Sequence, residues 1–371
     1  MRRSTLDHSA AAAEQFKPRG EIWTIQPLGN GNINDTFLVT LDAGDERHFV
    51  LQRINTHVFR HPDRVMRNIR TFTEHMRDRL EREPPVGGRR WEVPRVLPTG
   101  EARDHWIDPD GSFWRAISFV ECTRSFDTVQ NLSHAEEVGH ALGMFHRLLS
   151  DLPIALLLDT LEGFHITPRY LQHYDSVRAR GEAGKRSPEV GYCLRFVEER
   201  RSRAGVLEDA KARGSLLLRP IHGDPKVNNV LVDSRTGQAV GIIDLDTVKP
   251  GLVHYDLGDC LRSCCNPLGE ETENWEGVRF QPDLCRAILK GYGPQGKAFL
   301  SGADYGYFHE AVRLIAFELG LRFFTDYLEG NVYFKARHAE HNLKRALVQF
   351  KLVESIEAQA PSIRSIIGDM Q

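Results

Sequence analysis

The feature that most constrains the fold is a pair of apolar runs near the middle of the chain. Residues 230–232 and 239–243 are apolar and β-prone, and residues 233–237 between them have the composition of a turn. The sequence therefore predicts a β-hairpin. A hairpin returns the chain to its starting point, so Asn229 before the first strand and Asp244 after the second should lie close together. Any fold of this chain must place an amide and a carboxylate at one end of this hairpin.

The residues before the hairpin complete a pattern typical of phosphoryl transfer. Asp224 follows His222 by two positions and precedes Asn229 by five, which is the spacing of a protein-kinase catalytic loop. In that arrangement Asp224 is the catalytic base that orients the attacking hydroxyl, and Asn229 and Asp244 bind Mg²⁺ through hard oxygen atoms. Any one of these residues would fit a solvated loop, but the three separations together favour a catalytic site. The role of Asp246 stays open.

Composition excludes several classes of protein. The chain has 371 residues, of which 41% are apolar and 27% are charged, and this is enough for two domains with cores of their own. A formal net charge of -3 gives no electrostatic reason for binding nucleic acid or an anionic membrane. No apolar run has the length of a membrane span or a signal peptide. The six cysteines lack zinc-type spacing, so we expect them to be reduced, as in a cytoplasmic enzyme.

The order of predicted elements divides the chain into three parts. Residues 1–20 are predicted to be a mobile N-terminus. Residues 21–119 contain five predicted strands, with a helix over 61–82 after the third. Residues 120–371 are mainly helical, starting with a helix whose capping box begins at Ser133. The sequence thus predicts an α+β, protein-kinase-like fold with a small antiparallel-sheet nucleotide-binding lobe and a larger helical lobe for catalysis and substrate binding.

The predicted N-terminal lobe carries candidates for ATP binding. A stretch rich in Gly and Asn joins the first two strands, where backbone N–H groups could approach phosphate oxygens. Its candidate residues are Gly29, Gly31, Asn32 and Asn34. Arg53 ends the third strand and is predicted to face the phosphates. Glu74 on the following helix is the candidate carboxylate partner of Arg53, although an exposed position on that helix fits Glu74 equally well.

A second Gly-rich stretch, residues 291–298, nearly matches the pattern of a P-loop. Ala298 lacks the hydroxyl with which such a loop binds Mg²⁺, and a helix-like segment precedes the stretch instead of a strand. We therefore interpret the stretch as a plain loop.

A long apolar segment over 309–328 predicts a buried helix. Glu318, Arg322 and Asp326 recur every four residues on one face of it. Two interpretations stay open. The three residues pair with one another at the surface, or they line a polar pocket beside the catalytic loop. Tyr333 follows, and such a set of Arg, Asp and an aromatic ring suits the binding of a sugar.

Taken together, the chain resembles the aminoglycoside phosphotransferase and choline kinase superfamily. Within it, the resemblance to bacterial N-acetylhexosamine 1-kinases is the strongest. The stretches that carry this resemblance are residues 31–37, 50–59, 228–231, 243–251, 322–327, 333–335 and 340–343. They are spread over nearly the whole chain.

The resemblance implies a reaction and a set of roles. The reaction is the ATP- and Mg²⁺-dependent phosphorylation of the anomeric hydroxyl of N-acetylglucosamine or N-acetylgalactosamine. It implies Asp224 as the base in contact with the substrate, and Asn229 and Asp244 as the Mg²⁺ ligands. Arg322 and Tyr333 would contact the sugar, and Asp326 joins them as a candidate from the polar stripe.

Two departures from the pattern of these sugar kinases leave the choice of sugar open. Gly223 follows the histidine of the loop where Asn is frequent, and Lys249 stands where Met is common. A related kinase that acts on another sugar, an aminoglycoside or a small alcohol remains the alternative. A nucleotide-binding scaffold without catalysis is disfavoured, because the three catalytic positions are intact. The oligomeric state stays open.

Overall fold

The computed structural model describes residues 2–17, 20–29, 33–42, 47–180 and 187–371. The chain forms two compact units. The first comprises residues 1–123 together with the short segment 155–161, and the second comprises residues 124–154 and 162–371. Segment 155–161 belongs to the first unit because Asn68 donates to the carbonyl of Leu158 and accepts from its N–H.

The first unit is built on an antiparallel sheet. Its strands are β1 (Ile22–Pro27), β2 (Asp35–Leu41), β3 (His48–Ile54), β4 (Val96–Leu97), β5 (Trp106–Ile107) and β6 (Phe113–Ser118). They are arranged in the order β1-β2-β3-β6-β4, and β5 pairs with β6. The five predicted strands are thus present, and the two-residue strand β4 is an addition that the sequence pattern did not indicate.

Two helices belong to the same unit, and one of them corrects a prediction. Helix α2 (Pro62–Arg82) agrees with the predicted helix. The N-terminus was predicted to be mobile, but the structure has helix α1 (Arg2–Phe16) there. Ala12, Ala13 and Phe16 of α1 are almost fully buried in the core on one side of the sheet. Burial of this apolar face explains the helix, which the weak periodicity of the segment did not indicate.

The second unit is mainly helical. Its helices are α3 (Leu132–Leu149), α4 (Thr167–Ala179), α5 (Pro188–Arg200), α6 (Val206–Ala212), α7 (Val253–Cys264), α8 (Pro282–Gly296), α9 (Gly302–Glu329), α10 (His341–Ala358) and α11 (Ala360–Gly368). Strand β7 (Thr123–Arg124) precedes α3 in the chain. The short strands after it are β8 (Arg219–Ile221), β9 (Val230–Asp233), β10 (Ala239–Ile242) and β11 (Lys249–Gly251). Strands β9 and β10 form the predicted antiparallel hairpin. The prediction of an α+β kinase-like fold is confirmed.

Details of three helices differ from the sequence analysis. Helix α3 is capped by Asn131, whose side chain accepts from the N–H of His134, so the capping box predicted at Ser133 was wrong. Residues 291–298 are not a loop, because α8 continues to Gly296 even though it includes Pro294. Helix α9 is longer than predicted, since Ser301 and Asp304 form a capping box several residues earlier.

Helices α3 and α8 cross at backbone contact distance. A Cβ atom on Gly139 of α3 would lie 1.8 Å from the carbonyl oxygen of Ile288, and one on Gly291 of α8 would lie 1.9 Å from that of Glu136. Only glycine fits at either point, because these distances are shorter than any non-bonded contact. His146 on α3 and the Tyr292 hydroxyl on α8 are hydrogen-bonded at 3.0 Å. The two helices therefore form one closely packed pair.

Two predictions about the whole chain can be compared with the described residues. The six cysteines are all free thiols, as predicted, and five of them are buried. Among the helices in the described ranges, none is both long and apolar enough to cross a membrane.

Candidate functional site

The loop that carries Asp224 runs from the end of β8 to the start of β9, and a buried carboxylate holds its backbone. Asp256 of α7 has no exposed surface. It accepts from the N–H of His222 at 2.6 Å, from the N–H of Gly223 at 2.8 Å, and lies 2.8 Å from Nε2 of His146. Burial opposes its charge, but His146 and these N–H groups outweigh burial and lower the pKa of Asp256.

The carbonyl groups of the same loop are held from other elements. The Thr247 hydroxyl donates to the carbonyl of His222 at 2.7 Å, and His165 Nε2 lies 2.8 Å from the carbonyl oxygen of Gly223. Every N–H and C=O group of residues 222 and 223 therefore has a partner. The conformation of the chain immediately before Asp224 is fixed by these four groups.

Gly223 meets a steric requirement of this loop. Its φ is +88°, and a Cβ atom there would lie 2.8 Å from the carbonyl oxygen of Thr247. A larger residue would face both the strained backbone and the clash. The His222-Gly223 pair, which departs from the resembled sugar kinases, thus fits the local geometry of this protein.

The ring of His222 is a buried part of the loop. Nε2 of His222 donates to the carbonyl of Ile243 at 3.0 Å, and Nδ1 lies 3.3 Å from the N–H of Asp224, from which it accepts. One ring nitrogen donates and the other accepts, so the ring is neutral. Burial lowers the pKa of His222 accordingly.

Asp224 is partly exposed and lies beside a cation that the sequence analysis did not single out. Nζ of Lys226 is 2.9 Å from Oδ2 of Asp224. The carboxylate of Asp224 raises the pKa of Lys226 although burial opposes the charge. The signal was available in the sequence, because Lys226 lies between Asp224 and Asn229.

The hairpin brings its two flanking residues to one end, as predicted. The N–H of Ile243 donates to the carbonyl of Asn229 at 2.9 Å, so Asp244 is the next residue after the one opposite Asn229. Nδ2 of Asn229 donates to the carbonyl of Asp224 at 2.8 Å, which leaves its Oδ1 as the atom for a further partner. Asp244 has φ 62° and ψ 59°, a left-handed conformation that costs a non-glycine residue about 1–3 kcal/mol. Asp246, two residues on, is buried.

A network of charged side chains, three of them buried and Glu270 half-buried, lies behind the loop. Asp259 is 2.8 Å from Arg262, and Glu270 is 3.3 Å from Arg262 and 2.7 Å from Arg345. Burial opposes the charge of Glu270, but Arg262, Arg345 and Lys226 outweigh it and lower the pKa of Glu270 to about 2. The residues come from three separate segments, so sequence spacing gave no indication of this network.

The polar stripe of α9 follows neither of the two interpretations completely. Among the ion pairs of the described ranges, none joins two of its members. Glu318 instead contacts His165 at 3.0 Å and accepts from the Thr167 hydroxyl at 2.7 Å. The stripe anchors neighbouring segments of chain.

Asp326 of the stripe holds the loop that follows α9. Its Oδ1 accepts from the N–H groups of Val332 and Tyr333 at 2.9 and 2.7 Å. Its Oδ2 accepts from the N–H of Phe334 at 3.0 Å and from Nδ2 of Asn342 at 2.9 Å. The carboxylate was a candidate for contact with substrate, but these four donors use its hydrogen-bonding capacity. Its geometry indicates that it positions Tyr333.

Arg322 lies within a group of aromatic rings. Its guanidinium carbon is 5.4 Å from the ring centroid of Phe164, 4.9 Å from that of Tyr170 and 5.4 Å from that of Phe334, all within cation–π range. Burial opposes the charge, but Tyr170, Glu318 and Tyr333 outweigh it and raise the pKa of Arg322. Residues 331–339 line an adjacent open pocket of about 440 Å³.

The candidates for nucleotide binding lie in the first unit. Gly31 and Asn32 are outside the described residues. Oδ1 of Asn34 accepts from the N–H of Asn55 at 2.9 Å, and Gly29 has φ +72°. These observations leave the predicted role of Gly29 and Asn34 as a prediction.

The sequence left open whether Glu74 pairs with Arg53, and in the structure Arg53 pairs with Asp35. Nε of Arg53 donates to Oδ2 of Asp35 at 2.9 Å. Asp35 lies directly opposite Arg53 on the neighbouring strand, whereas Glu74 is exposed on α2. Residues directly opposite each other on paired strands are brought together by the strand register alone, so Asp35 is the closer partner for Arg53.

The fold and the loop geometry define a kinase-like phosphotransferase. The model of the phosphotransferase enzyme family, APH, matches residues 24–299, which is more than half of the chain. The protein belongs to this family of phosphotransferases.

Solved structures with the same fold include kinases of small molecules. A microcompartment-associated aminopropanol kinase has 17% identity and a TM-score of 0.61, covering 96% of this chain and 98% of that chain. An aminoglycoside phosphotransferase from Alicyclobacillus acidocaldarius has 16% identity and a TM-score of 0.61, covering 97% and 96%. Choline kinase from Cryptosporidium parvum has 13% identity and the same TM-score, also covering 97% and 96%. At these identities the likeness concerns the fold.

Proposed function

We propose that this phosphotransferase transfers the γ-phosphoryl group of ATP, with Mg²⁺, to the anomeric hydroxyl of an N-acetylhexosamine. The proposed product is the sugar 1-phosphate. The observation that supports the proposal best is the fixed loop that presents Asp224 beside Lys226, with Asn229 and Asp244 at adjacent ends of the hairpin. The proposed acceptor, an N-acetylhexosamine, is inferred from the stretches of sequence that resemble N-acetylhexosamine 1-kinases.

The residues at the hairpin end suit Mg²⁺. The ion prefers a few hard oxygen ligands and keeps several waters or phosphate oxygens, and Oδ1 of Asn229 and the carboxylate of Asp244 would be such ligands. When bound, Mg²⁺ would offset the negative charge of the ATP phosphates.

Asp224 has the position and the surroundings of the base. It is partly exposed, so a hydroxyl of the acceptor can reach it. The carboxylate orients that hydroxyl for in-line attack on the γ-phosphorus and takes its proton as the new P–O bond forms, while the bond from the γ-phosphorus to the bridging oxygen breaks and ADP leaves. Lys226 offsets the charge of the carboxylate and of the phosphoryl group as it moves.

The rings around Arg322 favour a neutral acceptor over a cationic one. A group of aromatic rings can bind a quaternary ammonium or another cation by cation–π interaction. Here Phe164, Tyr170 and Phe334 already surround the guanidinium of Arg322. A positively charged acceptor would therefore be repelled by the guanidinium of Arg322, which already occupies the space between the rings.

The acidic residues of the same region are engaged within the protein. Glu318 is bound by His165 and Thr167, and Asp326 accepts four hydrogen bonds. Recognition of an aminoglycoside or an amino alcohol would need carboxylates that face the ligand. This arrangement supports an uncharged sugar, which needs hydrogen-bond donors and a ring for contact, as Arg322 and Tyr333 would provide.

A substrate panel tests the proposal. ADP release would be measured with MgATP and N-acetylglucosamine, N-acetylgalactosamine, glucose, galactose, choline or an aminoglycoside, and the phosphorylated position would be determined by NMR. We expect the highest kcat/KM with an N-acetylhexosamine and a phosphate at C1. A higher kcat/KM with choline or the aminoglycoside would overturn the proposal.

Two variants make the test specific to the site. Asp224→Asn should abolish transfer while calorimetry still detects ATP binding. Arg322→Gln should raise the KM for the sugar without changing the KM for ATP. Arg178→Gln is the matched control, because Arg178 also lies over a tyrosine ring, that of Tyr174 at 5.9 Å, but on an exposed part of α4. An equal change in both arginine variants would remove Arg322 from the sugar site.

A further inference from the structure

We infer that His165 is a positioning residue, a buried imidazolium that ties Glu318 of helix α9 to the backbone carbonyl of Gly223 and so fixes the loop that presents Asp224. This inference rests on the proposed function, because it assigns His165 a part in placing the catalytic base. It concerns a residue that the sequence analysis did not single out.

With an ionised Glu318, the partners of the ring require it to carry two protons. Nδ1 of His165 is 3.0 Å from Oε1 of Glu318, and Nε2 is 2.8 Å from the carbonyl oxygen of Gly223. A carbonyl oxygen can only accept, so Nε2 donates to it. Oε2 of Glu318 accepts from the Thr167 hydroxyl at 2.7 Å, which suits an ionised carboxylate whose other oxygen accepts from Nδ1. Both ring nitrogens then donate, and this is the state of the imidazolium.

The burial of this group makes both hydrogen bonds matter. His165 is 4% exposed and Glu318 is 1% exposed, so water cannot replace a lost partner. A neutral ring would leave one nitrogen lone pair facing an oxygen lone pair, either at Glu318 or at Gly223. Loss of the proton therefore breaks the link at one of its two ends.

The groups around the ring favour the charged state. Glu318 faces it from α9, and Asp259 and Tyr255 face it from α7, where the Tyr255 ring stacks at 5.5 Å. Burial opposes the charge, but Glu318 outweighs it with help from Asp259 and the Gly223 carbonyl, so the pKa of His165 is raised. Since the pKa is raised on folding, the link is complete below the ordinary pKa of histidine and is lost as the pH rises through the pKa of the folded state.

The link reaches the loop at a point that no other side chain described above holds. Asp256 binds the N–H groups of residues 222 and 223, and Thr247 binds the carbonyl of residue 222. The carbonyl of Gly223 belongs to the peptide group that continues into Asp224, and His165 is its donor. His165 has φ +64°, a strained value for a non-glycine residue that its two anchored nitrogens help to maintain.

The protonation state can be measured without any substrate. In the full chain labelled with ¹⁵N-histidine, we expect NMR to show the imidazolium form of His165 at neutral pH, with the signal assigned by its absence in His165→Gln. Glu318→Gln should lower the pH at which this proton is lost. A neutral tautomer of His165 at neutral pH would overturn the inference, whatever the acceptor of the enzyme is.

Kinetics test the positioning role. His165→Gln keeps one donor but cannot titrate, and we expect kcat to fall by about 100-fold, as for small misplacement of a catalytic group, with the KM for ATP unchanged. The decline of kcat at high pH in the wild type should disappear in this variant. His173→Gln is the matched control, since His173 also pairs with a glutamate, Glu329 at 2.9 Å, but at the surface.

The possible results separate the two proposals. An imidazolium by NMR together with no activity on any sugar would overturn the proposed function and leave the charged link in place. An unchanged kcat and pH profile in His165→Gln, with active enzyme and a normal melting temperature, would overturn the positioning role. If His165→Gln fails to fold, the same kinetic test applies to Glu318→Gln, which should show the high-pH decline at a lower pH.

Discussion

Replacing Asp256 by asparagine should destabilise the protein strongly, because one side chain holds two backbone N–H groups of the catalytic loop. Asp256 accepts from the N–H groups of His222 and Gly223 and contacts Nε2 of His146, and it is fully buried. An asparagine can accept on one side only, since its other side is an NH₂ group. In Asp256→Asn, a buried N–H must therefore face another donor.

The expected cost can be worked from these contacts. One buried N–H without a partner costs about 1–3 kcal/mol. The remaining contacts lose the strength that the negative charge gave them, at about 1 kcal/mol. The sum is about 3 kcal/mol. For a unit of this size, the melting temperature should fall by roughly 6–12 °C.

Thermal unfolding followed by far-UV circular dichroism measures this change. The control is Asp127→Asn, the same substitution at an exposed position of the same unit, and its melting temperature should equal that of the wild type. Activity of Asp256→Asn should fall as well at a temperature where it is folded, since the loop before Asp224 loses an anchor. If Asp256→Asn has the same melting temperature as Asp127→Asn, the assignment of Asp256 as the anchor of the loop is refuted.

Three further predictions follow from the site. Asp326→Asn should raise the KM for the sugar in initial-rate assays without affecting the KM for ATP, because it loosens the backbone that carries Tyr333; equal changes in both constants would contradict this. Gly223→Ala should lower the free energy of unfolding by about 1–3 kcal/mol, measured by urea titration, and should reduce kcat, measured by steady-state kinetics. A variant with unchanged stability and unchanged kcat would disprove the steric argument. Arg53→Gln should change stability by less than about 1 kcal/mol, since both side chains of its pair with Asp35 are partly exposed to solvent, and a larger shift of the urea midpoint would show that this pair is structural.

The parts of the site that could be predicted from sequence are those set by local geometry. A hairpin with a short turn determines that Asn229 and residue 244 meet, whatever the rest of the chain does. The helix α2 and the strands β1–β3 were predictable because their side-chain patterns repeat with the period of the element. The face shared by Glu318, Arg322 and Asp326 followed from helical spacing in the same way.

The parts that could not be predicted depend on partners distant in sequence. Asp256 lies more than 30 residues after the two N–H groups that it holds, and His165 lies almost 60 residues before the carbonyl that it contacts. Helical spacing placed Asp326 on a face, but the N–H groups that it binds come from an irregular loop without a pattern of its own. The partner of Arg53 was left open for a similar reason, because an analogy with kinases suggested Glu74 whereas the strand register places Asp35 opposite Arg53.

The glycine crossing of α3 and α8 has a consequence for the evolution and engineering of this enzyme. Any side chain at Gly139 or Gly291 would force the two helices apart and pull Tyr292 away from His146, whose other nitrogen supports Asp256. A packing change at a point remote from the reacting groups would thus be transmitted through two side chains to the catalytic loop. Attempts to stabilise this enzyme by replacing helical glycines should spare these two positions, since greater helix propensity there would come at the expense of turnover.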